Sequence, residues 1–429
     1  MHSLLLSALC GVLSASGAFL FPDEPLDAEG VRLVAQVPES GPKLIAKDES
    51  RPKLWYAPVA ARPVEDGVRI WYQRVDSGEA EYINQRTLCV GDLKGRSWSI
   101  PALTLEAPAW GGNNNVCMTR SPHKPTWGGF NVFQLVEHNN ALHMLYWDQP
   151  DEDGLAGAMI ATSSDGLAWE KQPGAVFTEH NDAYSLMKHR EEYWLYQTML
   201  EDWPDKPYTD NLPEKRRVQS FRHSTDLKTW TDQEIILRPD AQDPPEAEFY
   251  LMKAFPYGGG FAGLLMKYYA DPKLEGKHSG IIVNELIASR DGKLWERPFR
   301  ETDIGFWCYA DPFDIGAKTH FAIWKDGGME TVAYRKNRLT AAVAEAGGSF
   351  TLALGPERGL PKSINADTSQ GWIELDVVDG SGAVQESFGR CRIEALDRLE
   401  IPMRWNTDAP VEGMKLRVRM EKSSLYALE

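Results

Sequence analysis

Apolar and polar positions alternate in short runs along most of the chain, broken by glycine, aspartate, asparagine and serine. Five aromatic, β-branched runs stand out: Val68-Arg69-Ile70-Trp71-Tyr72, Leu142-His143-Met144-Leu145-Tyr146-Trp147, Tyr193-Trp194-Leu195-Tyr196, Phe261-Ala262-Gly263-Leu264-Leu265 and Thr319-His320-Phe321-Ala322-Ile323-Trp324. Three follow turn residues: Asp66-Gly67, Asn139-Asn140 and Gly258-Gly259-Gly260. A period of two between such turns predicts strands joined in hairpins. Almost nothing between residues 50 and 345 keeps a helical period, and the short run Ala341 to Ala346 is the best local exception.

A second repeat follows these runs. Ser163-Ser164-Asp165-Gly166-Leu167-Ala168-Trp169 recurs as Ser224-Thr225-Asp226-Leu227-Lys228-Thr229-Trp230 and Ser289-Arg290-Asp291-Gly292-Lys293-Leu294-Trp295, with a looser copy from Gly91 to Trp98. The steps between Trp98, Trp169, Trp230 and Trp295 are 71, 61 and 65 residues. Serine, aspartate and glycine supply the turn, and tryptophan packs the start of the next strand. Four strands per unit, five times over, predict an all-β chain with a five-bladed β-propeller. Hairpins alone fit a sandwich array too, because they do not prove radial closure.

Beyond residue 350 the pattern changes. Trp372 to Val378 alternates, Asp379-Gly380-Ser381-Gly382 turns, and Leu416 to Met420 alternates again. Half-buried strands of a C-terminal β-sandwich are expected. The division is a leader over 1–18, a propeller over 19–350 and a sandwich over 351–429. Leu4 to Leu13 with the small residues Ser16-Gly17-Ala18 reads as an export signal, placing the protein outside the cell or in the periplasm. The other reading of this segment is a short buried N-terminal element. No other stretch is apolar enough to span a membrane.

Composition narrows the partners. Hydrophobic residues make up 42% and charged residues 25% of the 429, an ordinary globular balance. The net charge of −16 and the scattered basic residues argue against nucleic acid. Outside the leader, Cys89, Cys117, Cys308 and Cys391 remain. No CxxC or Cys/His cluster suggests a metal site, and isolated buried thiols are expected. Oligomeric state is not legible.

The Ser-x-Asp-Gly-x-x-Trp strand ends, in fivefold repetition after an apolar leader, resemble the five-bladed propeller glycoside hydrolases of the invertase/levanase-like and arabinanase/xylosidase-like groups. The resemblance covers about residues 50–429 and extends to uncharacterised secreted bacterial members with a C-terminal sandwich. It implies a carbohydrate substrate, no organic cofactor, room for a calcium ion in the channel, and two Asp and one Glu on inner strands with Glu as the acid.

The inner strand of each unit precedes its aromatic run. Units three to five offer Asp182, Glu248 and Asp311 there, 66 and 63 residues apart. Glycoside hydrolysis needs one carboxylic acid to protonate the leaving oxygen and a second carboxylate to activate water or attack the sugar. By the resemblance Glu248 is the general acid, Asp182 the base or pKa modulator, and Asp311 the remaining partner. Two departures stand against this. Leu54-Trp55-Tyr56-Ala57-Pro58 in unit one carries no acid, and unit two has Asn131 where an acid is expected. A carboxylate beside a strand end is as readily a turn cap or an ion-pair member. Asn131, His180, Tyr184, Tyr250, Trp110 and Asn114 are the candidate substrate-binding residues, with packing or a plain loop as the alternative for each. A His180/Tyr184 pair also suits a polysaccharide lyase. A non-catalytic carbohydrate-binding or surface protein on the same scaffold remains the other reading.

Overall fold

The structure, a computed structural model, describes residues 17–18, 26–76, 86–105, 115–121, 130–149, 156–178, 183–208, 212–270, 280–354 and 359–429. Trp110, Asn114, His180, Asp182 and residues 1–16 of the expected leader lie outside the described residues. Five antiparallel sheets follow one another. Blade 1 comprises Leu54–Val64, Gly67–Asp76, Arg86–Lys94 and Ser97–Ser99, with Val116–Thr119 added on Arg86–Lys94. Blade 2 comprises Asn131–His138, Ala141–Asp148, Gly157–Ser163 and Glu170–Lys171, and blade 3 Tyr184–His189, Glu192–Asp202, Lys215–Ser224 and Glu234–Leu237. Blade 4 comprises Ala247–Tyr257, Gly260–Ala270, Gly280–Ser289 and Trp295–Glu296. Blade 5 comprises Phe313–Ile315, Lys318–Lys325 and Gly328–Arg335, and its outer strand is Glu39–Ile45, from near the other end of the sequence.

Radial closure is decided by the cores. Five hydrophobic clusters each fill one gap between neighbouring blades. Trp71 and Met144 share the gap of blades 1 and 2, Leu145 and Leu195 that of 2 and 3, and Tyr196 and Leu265 that of 3 and 4. Leu264 and Phe321 share the gap of blades 4 and 5, and Ala322 and Ile70 that of 5 and 1. Every gap is filled, so the blades form a ring. Each fully buried large apolar side chain adds roughly 1.5–3 kcal/mol. Cys89, Cys117, Cys308 and Cys391 are free and buried, each in a different cluster.

The turn motif locks the ring. In blade 2 the Ser163 hydroxyl accepts from the Gly166 N–H at 2.8 Å, and Asp165 accepts from the N–H groups of Leu167 and Ala168 at 2.8 and 3.1 Å. The Trp169 indole then donates to the Gly166 carbonyl at 3.1 Å. Blades 3 and 4 repeat this with Ser224, Asp226 and Trp230 and with Ser289, Asp291 and Trp295. The third turn residue needs positive φ, at Gly166 (75°), Leu227 (63°) and Gly292 (78°). Trp71 of blade 1 lies on Gly166, and Trp194 of blade 3 lies on Gly292. At the place of Trp71 and Tyr196, blade 2 carries the smaller Leu145. Leu227 takes up that space in the same cluster, which explains a leucine where the other turns have glycine.

Two outcomes follow from this motif. A Cβ on Gly292 would stand 2.3 Å from the Trp194 ring, whereas Gly305, also at positive φ (75°), has nothing within 4 Å. Gly292→Ala is expected to lower unfolding free energy by about 1–3 kcal/mol more than Gly305→Ala, read from urea unfolding curves. The Thr229 and Lys228 N–H groups hold the Asp226 carboxyl down to about 2. A carboxyl depressed in the folded state stabilises above its unfolded value near 3.9 and loses that contribution as pH falls through the folded value. Between about pH 4 and 2 the urea midpoint of wild type should therefore fall more steeply than that of Asp226→Asn.

The second unit is a nine-stranded sheet over one further hydrophobic cluster. Thr340–Ala353 and Lys415–Leu428 run side by side, with a register shift between Ala344 and Gly347. One half of Lys415–Leu428 pairs with Trp372–Val378, the other with Ser363–Asp367. Phe350, Leu375 and Val418 share its core with Ile364 and Ile401, so the sheet folds over a single core. The expected exception at Ala341 to Ala346 is corrected: it lies within a strand whose small side chains pack beneath the sheet. Leu26–Glu29 and Arg32–Ala35 also join this sheet, and Gly17–Ala18 pairs with Leu428 and Ala427. The second unit thus draws on both ends of the chain instead of 351–429 alone. The reason is closure: Glu39–Ile45 must reach blade 5, which leads directly into Thr340–Ala353. No helix among the described residues is long and apolar enough to cross a membrane.

Candidate site in the propeller channel

The first strands of blades 5 and 1, 1 and 2, 2 and 3, and 3 and 4 touch, and in a closed ring of blades the first strands surround a central channel. Their pleat decides which residues face it. Gln134, Ser185 and Lys253 stand at one level, paired with Leu145, Tyr196 and Leu264 of the adjacent strands. Their neighbours fix their direction. Leu135 packs toward blade 1, so Gln134 turns the other way. Tyr184 and Leu186 pack toward blade 2, so Ser185 turns away from it. Met252 and Ala254 pack toward blade 3, so Lys253 turns toward blade 5.

Lys253 is fully buried, and its ammonium donates to Asp311 Oδ1. The Asp311 side chain keeps 43% of its surface open. It lies two residues ahead of Phe313–Ile315. The amide atoms of Gln134 and the hydroxyl of Ser185 are buried without a hydrogen-bond partner. Such groups cost free energy unless a ligand or water completes them. Tyr309 reaches from the run before blade 5 to pack against the cluster between blades 2 and 3, crossing the channel. The Trp307 ring stands perpendicular to it at 4.3 Å.

Glu248 has a different setting. It is fully buried at the start of the blade 4 inner strand and bonds to Arg217 of blade 3. One oxygen accepts from Lys206 at 3.1 Å and from the Tyr208 hydroxyl. The other accepts from the Arg217 guanidinium at 2.7 Å and from the Arg217 N–H at 3.0 Å. Four donors, from two cationic residues and a tyrosine, occupy both oxygens, and neither is left open to a leaving group. Glu248 is held by Lys206 and Arg217 of blade 3, whereas Asp311 is held by Lys253 of blade 4. The geometry supports Glu248 as an internal counter-charge and not as the acid.

Solved structures with a similar chain course include glycoside hydrolases and a phosphorylase. A glycosyl hydrolase from Bacteroides ovatus is 14% identical at TM-score 0.44, over 71% of this chain and 94% of its own. A β-1,2-mannobiose phosphorylase from Listeria innocua is 10% identical at TM-score 0.41, over 69% of this chain and 98% of its own. A Bombyx mori GH32 β-fructofuranosidase is 11% identical at TM-score 0.40, over 93% of this chain and 94% of its own. No family model and no curated protein matches the sequence.

The remaining candidates divide. The Tyr184 ring is 1% exposed and packs edge-on against Phe177 in the core between blades 2 and 3, so it is not presented to a substrate. Tyr250 is half-buried at a bulge, with the Arg217 guanidinium 4.9 Å over its ring. Asn131 is half-buried at the start of the blade 2 inner strand, opposite Trp147. Among the described residues no group of three His, Cys, Asp or Glu gathers to hold a metal. The sequence reading missed Gln134, Ser185 and Lys253. Lys253 had a signal, as a lone charge inside the apolar run Leu251 to Phe255, where a lysine is buried only if paired.

Proposed function

We propose that the protein cleaves glycosidic bonds of an oligosaccharide or polysaccharide in the propeller channel, with Asp311 as base or nucleophile and Asp182 as the second carboxylate. The observation that carries this reading is the half-open Asp311 carboxylate fixed by a buried lysine, with buried hydrogen-bonding groups that lack a partner at the level of that lysine on the inner strands of blades 2 and 3. A carboxylate held by an ammonium activates water or attacks the anomeric carbon, and the leaving oxygen takes its proton from another acid. Asp182 lies at the corresponding start of unit three. Gln134 and Ser185 are suited to sugar hydroxyls, which both donate and accept. The leader Leu4 to Leu13 supports export to where such chains are met.

A non-catalytic carbohydrate-binding role is the second reading. The saturation of Glu248 and the acid-free start of the blade 1 inner strand, Leu54-Trp55-Tyr56-Ala57-Pro58, favour it. Incubation with levan, arabinan, xylan and mannan separates the two. Release of reducing ends by wild type, lost in Asp182→Asn, is expected. Binding without release would leave only the second reading, and new ultraviolet absorption in the product would mark a lyase.

A further inference from the structure

Trp324 exposes 53% of its surface, unusual for so large an apolar side chain. It belongs to the second strand of blade 5, and its ring meets half-buried Trp55 at 6.0 Å and 63°. Trp55 stands at the mouth end of the blade 1 inner strand. The two indoles bridge the rim between the last and first blades. Phe313 pairs with His320, so Asp311, two residues ahead of Phe313, and Trp324, four residues beyond His320, lie toward the same end of blade 5. Ion pairs flank the two indoles, Lys325 with Glu330 at 2.9 Å and Lys47 with Glu49 at 3.1 Å.

We propose that Trp55 and Trp324 form a stacking subsite for a sugar ring beyond the channel, so that the protein takes chains and not single sugars or disaccharides. This rests on the carbohydrate reading above. The apolar face of a sugar ring suits a rigid indole, while flanking charges serve its hydroxyls. An exposed indole next to polar side chains, on the side where a chain held at Asp311 leaves the channel, is placed for that contact. Trp55 holds Trp324 from the side, which fixes the exposed face.

The test compares wild type and Trp324→Ala by affinity gel electrophoresis in levan, arabinan, xylan and mannan, and by titration with oligosaccharides of increasing length from the polymer that binds. Trp324 is exposed, so its loss leaves the fold intact, and near-ultraviolet circular dichroism checks this. Trp324→Tyr is the conservative control. The expected result is about three- to tenfold weaker binding of long chains by Trp324→Ala, unchanged binding of the shortest ligand, and recovery in Trp324→Tyr. Equal binding of all lengths by wild type and Trp324→Ala would overturn the subsite while leaving the carbohydrate reading in place. Failure of wild type to bind any of the four polymers would overturn both.

Discussion

Glu248→Gln is expected to destabilise the propeller by about 3–5 kcal/mol at neutral pH, the largest stability loss of any single substitution considered. Removing the charge leaves Lys206 and Arg217, whose side chains are 3% and 4% exposed, facing a neutral amide. The ammonium and guanidinium then keep their desolvation cost without the compensating carboxylate. The amide also presents only one acceptor oxygen where four donors converge. Urea unfolding followed by tryptophan fluorescence measures the loss. A drop below about 1 kcal/mol would show that the network does not hold blade 3 to blade 4. Whatever fraction stays folded should keep its activity, because neither Glu248 oxygen reaches substrate. A folded but inactive Glu248→Gln would restore Glu248 as the acid.

The second large effect is on rate. Asp311→Asn should lower kcat by about 10²–10⁴-fold, the range for losing a positioned base. Stability must be separated from chemistry, because the substitution also strips the fully buried Lys253 of its counter-charge. The double variant Asp311→Asn/Lys253→Met removes both charges and fills the site with a side chain of similar reach. It should unfold near the wild-type urea midpoint and remain inactive. Lys253→Met alone frees Asp311 to move and should lose less activity than either.

The ring was legible because its turns repeat. Trp98, Trp169, Trp230 and Trp295 each close a blade, and before the last three the glycine or leucine answers to the size of a neighbouring side chain. A fifth tryptophan is missing because blade 5 borrows Glu39–Ile45 as its outer strand, and pairing across some 290 residues leaves no local pattern. The site was less legible. Glu248 and Asp311 occupy similar places in their repeats, yet one faces blade 3 and the other the channel. A bulge between Phe249 and Leu251 shifts the blade 4 inner strand by one residue. Spacing in sequence does not report that shift. Nor does it report Lys206 and Arg217, 42 and 31 residues from Glu248, which turn a candidate acid into an ion-pair member. Tyr184 was misread for a related reason: its place near the channel end of a strand says nothing of the face it takes, and that face is the core.

The central claim is that the Asp311 side of the channel does the chemistry. Its most direct measurement is reducing-sugar release by Asp311→Asn/Lys253→Met against Lys253→Met, on the polymer that wild type cleaves best and at matched folded fraction. A further loss of about 100-fold or more on removing Asp311 is the predicted result. Rates within about threefold of each other would contradict it and move the chemistry away from Asp311.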